Sequence, residues 1–216
     1  MITNLCKKQR GKGFIPAWTV CVGIWLCSCF LITGCRPEEF NSADDLKVFI
    51  NEPSNNLKQH VSLNGYDLTV SYKPIDLLVY QETGGEPTDY QRLYHLEKKY
   101  EGNYYFVMTF TKSMKDSSSS IEVSQLQNFS TSISRYLSLT TMEDDTIEAD
   151  GFTIERINTV NDATEILFVL SKEKSKAKDW IQFNLNEFGL GLGNRTFKFH
   201  IEDLEQVPKL KFALIS

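Results

Sequence analysis

Leu57-Lys58-Gln59-His60-Val61-Ser62-Leu63-Asn64-Gly65-Tyr66-Asp67-Leu68-Thr69-Val70-Ser71-Tyr72 is the stretch that decides the fold class. Two strand-like arms flank Asn64-Gly65, a dipeptide in which both residues tolerate positive φ. That favours the two-residue turn whose twist matches a pair of antiparallel strands. In the second arm Tyr66, Leu68, Val70 and Tyr72 alternate with Asp67, Thr69 and Ser71, so four large side chains share one face. A hairpin with one such face has to bury it against another layer of structure.

Upstream of the hairpin, Leu46, Phe49 and Ile50 follow Ser42 at helical spacing and predict a short helix over 44–51, stopped before Pro53. Downstream, Pro74 ends the strand, and Ile75 to Gln81 fits a helix or a strand equally, because periodicity does not separate the two over so short an apolar run. Thr83 to Pro87 is a loop. Thr88 to Tyr100 then predicts an amphipathic helix capped by Thr88, carrying Tyr90, Leu93, Tyr94, Leu96 and Tyr100 among charges. Asn103 to Thr111 reads as a buried strand with Tyr104, Phe106, Met108 and Phe110 on one face.

Leu126, Phe129, Ile133, Tyr136 and Leu137 keep the 3.6-residue period and predict a second helix within 124–137. Strands follow at 152–160 and 165–170, turned at Asn161-Asp162, and then at 180–185 and 196–201 around a glycine loop from Gly189 to Gly193. This order predicts an α+β fold: a mostly antiparallel sheet or β-sandwich-like arrangement with one to three helices packed on it. No internal repeat is present.

The N-terminus has a different character. Lys7, Lys8, Arg10 and Lys12 form a basic segment without an acid, and Ile15 to Ile32 is almost wholly apolar. Leu31 then leads into Ile32-Thr33-Gly34-Cys35, small residues before a cysteine. These residues resemble the lipobox of bacterial lipoproteins. The resemblance covers the first 35 residues and reaches no named domain family. It implies cleavage before Cys35, a diacylglycerol thioether on Cys35 and an N-acyl chain after cleavage, which together anchor stably where a single chain does not. The alternative is an uncleaved signal-anchor helix spanning the bilayer.

Cleavage would remove Cys6, Cys21, Cys27 and Cys29, leaving only the lipidated cysteine. A disulfide framework, a thiol nucleophile and a Cys-ligated zinc site are then excluded from the mature chain. It would also remove four basic residues and no acidic one, moving the net charge from −5 to −9. An acidic domain disfavours nucleic acid as a partner, since phosphate neutralisation needs a basic face. Arg36-Pro37-Glu38-Glu39 reads as a solvated tether. Glu38 and Glu39 resemble the acidic signal that sends some Gram-negative lipoproteins to the outer face of the cell; the alternative is an ordinary linker.

His60, His95 and His200 stand apart, none in a paired-ligand spacing, so the sequence offers no metal site and no cofactor motif. His200 with Glu202 and Asp203 lacks a shared focus. The run Glu143 to Gly151 fails the alternation of a calcium loop and reads as a solvated turn. Gly189 to Gly193 looks like a phosphate cradle but leads into a strand, without a helix dipole, and reads as a bulge or wide turn. Lys172, Lys174, Lys176 and Lys178 read as a solvated hairpin tip, with a lipid-headgroup site as the alternative. Asp145-Thr146-Ile147 resembles an O-glycosylation acceptor of exported proteins, with Thr146 as the modified residue.

Tyr90 and Tyr94, in a tyrosine-rich region with Tyr100, Tyr104 and Tyr105, offer a surface for a partner or for sugars, against the plainer reading of a half-buried core edge. The domain expectations are a signal peptide over 1–34, a lipidated cysteine and tether over 35–42, and one globular domain over 43–216. No catalytic residue is assigned. The expected function is a non-enzymatic, membrane-anchored lipoprotein of the outer membrane, a protein-interaction or structural component of an envelope assembly. The alternatives are a surface module binding glycan and, third, a hydrolase with motif-free carboxylates.

Overall fold

The hairpin forms as its sequence requires. In the computed structural model of the chain, β2 (Lys58–Leu63) and β3 (Tyr66–Tyr72) pair antiparallel in the register Leu63↔Tyr66. Asn64 and Gly65 take φ of 52° and 77°, the positive values that the turn demands. Tyr66, Leu68, Val70 and Tyr72 are all buried. The structure describes residues 39–112, 129, 131–141, 145–158, 163–176, 178–189 and 191–215.

Around the hairpin grows a five-stranded antiparallel sheet in the order β2-β3-β4-β8-β7. β4 is Asn103–Lys112, β7 Gly151–Asn158 and β8 Ala163–Ser171. A second, four-stranded antiparallel sheet runs β10-β9-β5-β6, with β5 at Leu137–Thr140, β6 at Thr146–Ile147, β9 at Trp180–Leu185 and β10 at Arg195–His200. The inner faces meet through aromatic rings: Phe106 of β4 lies 4.9 Å from Phe183 of β9 and 5.1 Å from Phe199 of β10, centroid to centroid. Face-to-face burial of alternating apolar residues is the defining packing of a sandwich. One pair of open edges is closed by a side chain: Gln59 of β2 accepts from the Lys198 amide at 3.3 Å and donates to the Lys198 carbonyl of β10. Its amide stands in for a strand neighbour on β10.

Five α-helices among the described residues accompany the sheets, more than the one to three expected. α1 (Ala43–Asn51) starts at Ser42, whose Oγ accepts from the Asp45 amide at 3.1 Å, and buries Ala43, Leu46 and Ile50. The ambiguous 75–81 stretch is helix α2 (Ile75–Thr83), followed by α3 (Tyr90–Tyr100). The cap of α3 is Asp89, accepting from Arg92 at 2.9 Å, in place of the expected Thr88. Thr88 is buried and its backbone is committed elsewhere, to Ala213 and Ile215 at 3.1 Å each.

Within the helix predicted over 124–137, the described residues include one turn, α4 (Ile133–Tyr136), and Leu137 already belongs to β5. Phe129 and Thr131 are also helical, with Phe129 buried, while residues 124–128 and 130, and the Asn161-Asp162 turn, lie outside the described residues. A short helix that the strand pattern missed, α5 (Ile201–Glu205), follows β10 and buries Leu204. Finally β1 (Glu39–Phe40) and β11 (Lys209–Leu210) pair parallel, Glu39↔Lys209 and Phe40↔Leu210, so the last two tether positions before Asn41 lie in a strand.

Candidate functional site

Two ends of the sandwich are distinguishable, and one of them carries β1 (Glu39–Phe40), where the described chain begins. At that end β3 finishes at Tyr72, β4 and β9 begin, β8 finishes at Ser171, and β1 runs beside β11. The tertiary link that holds β11 here is Asp76 of α2, whose Oδ2 accepts from the buried Leu210 amide at 2.6 Å. Burial raises the Asp76 pKa, with that hydrogen bond and Lys209 pulling the other way. Beside it, the Tyr104 hydroxyl donates to Glu205 of α5 at 3.0 Å. Burial, and then the Glu205 carboxylate, push Tyr104 well above the usual tyrosine range.

The lysine run lies at the same end, and here the structure corrects the sequence reading. It is no hairpin tip: Lys172–Ser175 is a 3-10 turn on the crossover from β8 in one sheet to β9 in the other. The alternating lysines therefore do not share one side of an extended segment. Lys172 Nζ sits 5.2 Å over the Tyr104 ring, Lys174 pairs with Asp150 at 2.8 Å, and Lys178 approaches Asp145 at 3.6 Å. A cavity of about 590 Å³ is lined by Tyr104, Lys172, Glu173, Ser175, Lys176, Lys178, Ile201 and Glu205. Asp150, in the acidic run Glu143 to Gly151, accepts from Lys174 and from the Ser171 amide, which lower its pKa in that order. Glu143 and Asp144 lie outside the described residues.

Tyr90 and Tyr94 stand on the outer stripe of α3, 68% and 46% exposed. The C-terminal segment carries two more exposed apolar residues, Leu214 and Ile215, and the Thr88↔Leu214 bridge ties it to the start of α3. The five tyrosines do not form one surface. Tyr100 meets Tyr105 edge-on at 5.7 Å and donates its hydroxyl to the Glu82 carboxylate, while Tyr104 points to the other face of β4, into the core beside Tyr72. A strand separates neighbours onto opposite faces, so Tyr104 and Tyr105 were never candidates for the same patch.

Gly189, Gly191 and Gly193 do build an amide cradle, and the chain fills it itself. The Gly189 and Gly191 amides donate to Glu187 Oε1 at 2.7 and 3.0 Å, and the Gly193 amide donates to Oε2. All three glycines have positive φ, which aims successive N–H groups at one anion without a helix. The loop connects β9 to β10, and its Gly191 carbonyl accepts from Asn64 Nδ2 at the hairpin tip, 2.6 Å away. An acid two residues before the first glycine was the readable signal.

Thr146, the residue of the O-glycosylation resemblance, is exposed in β6. Glu39 is exposed; Ile32, Thr33, Gly34, Cys35 and Glu38 lie outside the described residues. His60 sits 3.1 Å from Asp67 across the hairpin, and His95 and His200 are exposed. Among the described residues no three His, Cys, Asp or Glu side chains converge as a metal site would require. No helix of the described residues is long and apolar enough to cross a membrane. No family model matches the chain, and no curated protein matches it.

Proposed function

We propose that the chain is an exported lipoprotein, anchored in the outer membrane through acyl groups on Cys35, whose α+β domain is a non-enzymatic interaction or structural component of an envelope assembly. The observation that carries this reading is the lipobox at Leu31 to Cys35, closing an apolar run behind a basic segment. The position of β1 supports it, because that strand starts at Glu39, four residues after Cys35. On this reading Ile32, Thr33 and Gly34 are what the signal peptidase reads, and Glu38 and Glu39 direct the protein outward.

The partner surface is the Tyr90–Tyr94 stripe together with Leu214 and Ile215. Exposed tyrosines and aliphatics are the composition of protein interface cores, and the Thr88↔Leu214 bridge brings the C-terminal segment to the start of the helix that carries the tyrosines. Incorporation of labelled palmitate, with its loss and release from membranes in Cys35→Ala, tests the anchor; membrane attachment unchanged in Cys35→Ala would refute it. Photocrosslinking from position 90 to an envelope protein tests the partner.

The second reading, a glycan-binding module, draws on the same exposed rings, since aromatic faces stack on sugars. Binding on a glycan array that disappears in Tyr90→Ala or Tyr94→Ala, with no protein crosslinked, would replace the first reading by the second.

A further inference from the structure

We propose that the anchor-side end of the sandwich, with Lys172, Lys176 and Lys209 at its surface, rests on the anionic headgroups of the bilayer that holds the lipid, so that the domain is oriented and not freely tumbling on its tether. This rests on lipidation at Cys35. Four backbone steps separate Cys35 from Glu39, and a chain of that length reaches at most about 14 Å. Glu39 is fixed beside Lys209 by the β1–β11 pair, so whatever the path of the connector, Lys209 is held close to the membrane surface.

The other two lysines belong to the same end. Lys172 follows β8 where Ser171 pairs with Asn103 at the start of β4, and Lys209 neighbours the Leu210 that Asp76 holds just beyond the end of β3. Lys172 and Lys176 line the cavity that opens beside Tyr104 and Glu205. Two of the nearby acids are engaged from within the fold: Glu101 takes Lys98 at 2.6 Å, and Glu205 takes the Tyr104 hydroxyl, while Glu39 and Glu173 stand exposed beside the lysines. Among the described residues Lys172, Lys176 and Lys209 carry no ion pair of their own. In a mature chain of net charge −9, lysines gathered where the anchor enters turn the least repelled end toward a negative bilayer.

The test uses the lipidated protein in vesicles. Because Cys35 is blocked by its thioether, a fluorophore on Lys176→Cys or on Ser62→Cys, at the opposite end near the hairpin turn, occupies a unique thiol. On vesicles containing phosphatidylglycerol, acrylamide quenching is expected to fall severalfold at position 176 and to stay unchanged at 62. On phosphatidylcholine vesicles neither position changes. Lys172→Glu with Lys209→Glu, or salt near roughly 0.5 M, where screening shortens charge interactions to a few ångströms, should abolish the difference. Protein that floats with both vesicle types yet shows equal quenching at 176 in each would overturn the orientation while leaving the anchor standing. Protein that carries no acyl mass and floats with neither would instead remove the anchor, and with it this inference.

Discussion

Replacing Asp76 by alanine should loosen the C-terminal strand β11, which pairs with β1, and the pH dependence of that loss is the sharper part of the expectation. Asp76 is 8% exposed and its carboxylate accepts from the Leu210 amide, itself in a residue 6% exposed. Removing the acceptor leaves a buried N–H unpaired, which costs about 1–3 kcal/mol. Burial raises the Asp76 pKa in the folded state. The wild-type protein therefore has this group's full contribution below the unfolded pKa of about 3.9 and loses part of it as pH rises through the folded value.

The alanine variant lacks that titration. Its deficit against wild type should thus be larger near pH 4 than at pH 7, and Asp76→Asn, which keeps an acceptor without a charge, should lie above the alanine variant at both. Urea unfolding of the three proteins at the two pH values measures this, with trypsin cleavage after Lys209 and Lys211 reporting the local loosening. A deficit in Asp76→Ala that is the same at both pH values, or that is larger at pH 7, would refute the reasoning.

Phe106→Ala removes the ring shared by both sheets and should cost about 3–5 kcal/mol, read as a lowered urea midpoint. Gly191→Ala should destabilise the β9–β10 loop, because a Cβ there would lie 2.7 Å from Asn64 Nδ2 on a backbone of φ +68°; Gly193→Ala, with nothing within 4 Å but φ +63°, isolates the backbone part of that effect in the same melting experiment. Glu187→Ala empties the glycine cradle and should speed amide exchange at Gly189 and Gly191 while leaving the sheet amides slow. Tyr90→Ser and Tyr94→Ser, on an exposed stripe, should change stability by no more than about 0.5 kcal/mol while weakening any partner crosslinked there.

Local sequence determined the parts of this protein whose physics is local. Asn64-Gly65 dictated a turn because both residues accept positive φ, and the alternation in 66–72 and 104–110 dictated which side chains are buried because a strand repeats every two residues. Ser42 capped α1 for the same kind of reason: its hydroxyl reaches an amide three residues away. Together these made the α+β class legible.

Only the tertiary structure decided the features that join distant residues. Nothing near Thr88 in sequence says that Ala213 and Ile215 will claim its backbone and pass the cap to Asp89. Nothing in the lysine run says that β8 and β9 lie in different sheets, which turns an apparent hairpin tip into a crossover. The pairing of Glu39 with Lys209, and the buried Asp76 that holds Leu210, join positions far apart along the chain, where loop closure has to be compensated by burial and hydrogen bonds that no local pattern encodes. The resemblance around Cys35 is read from sequence alone; that Glu39 enters the fold beside Lys209 was decided by the tertiary structure.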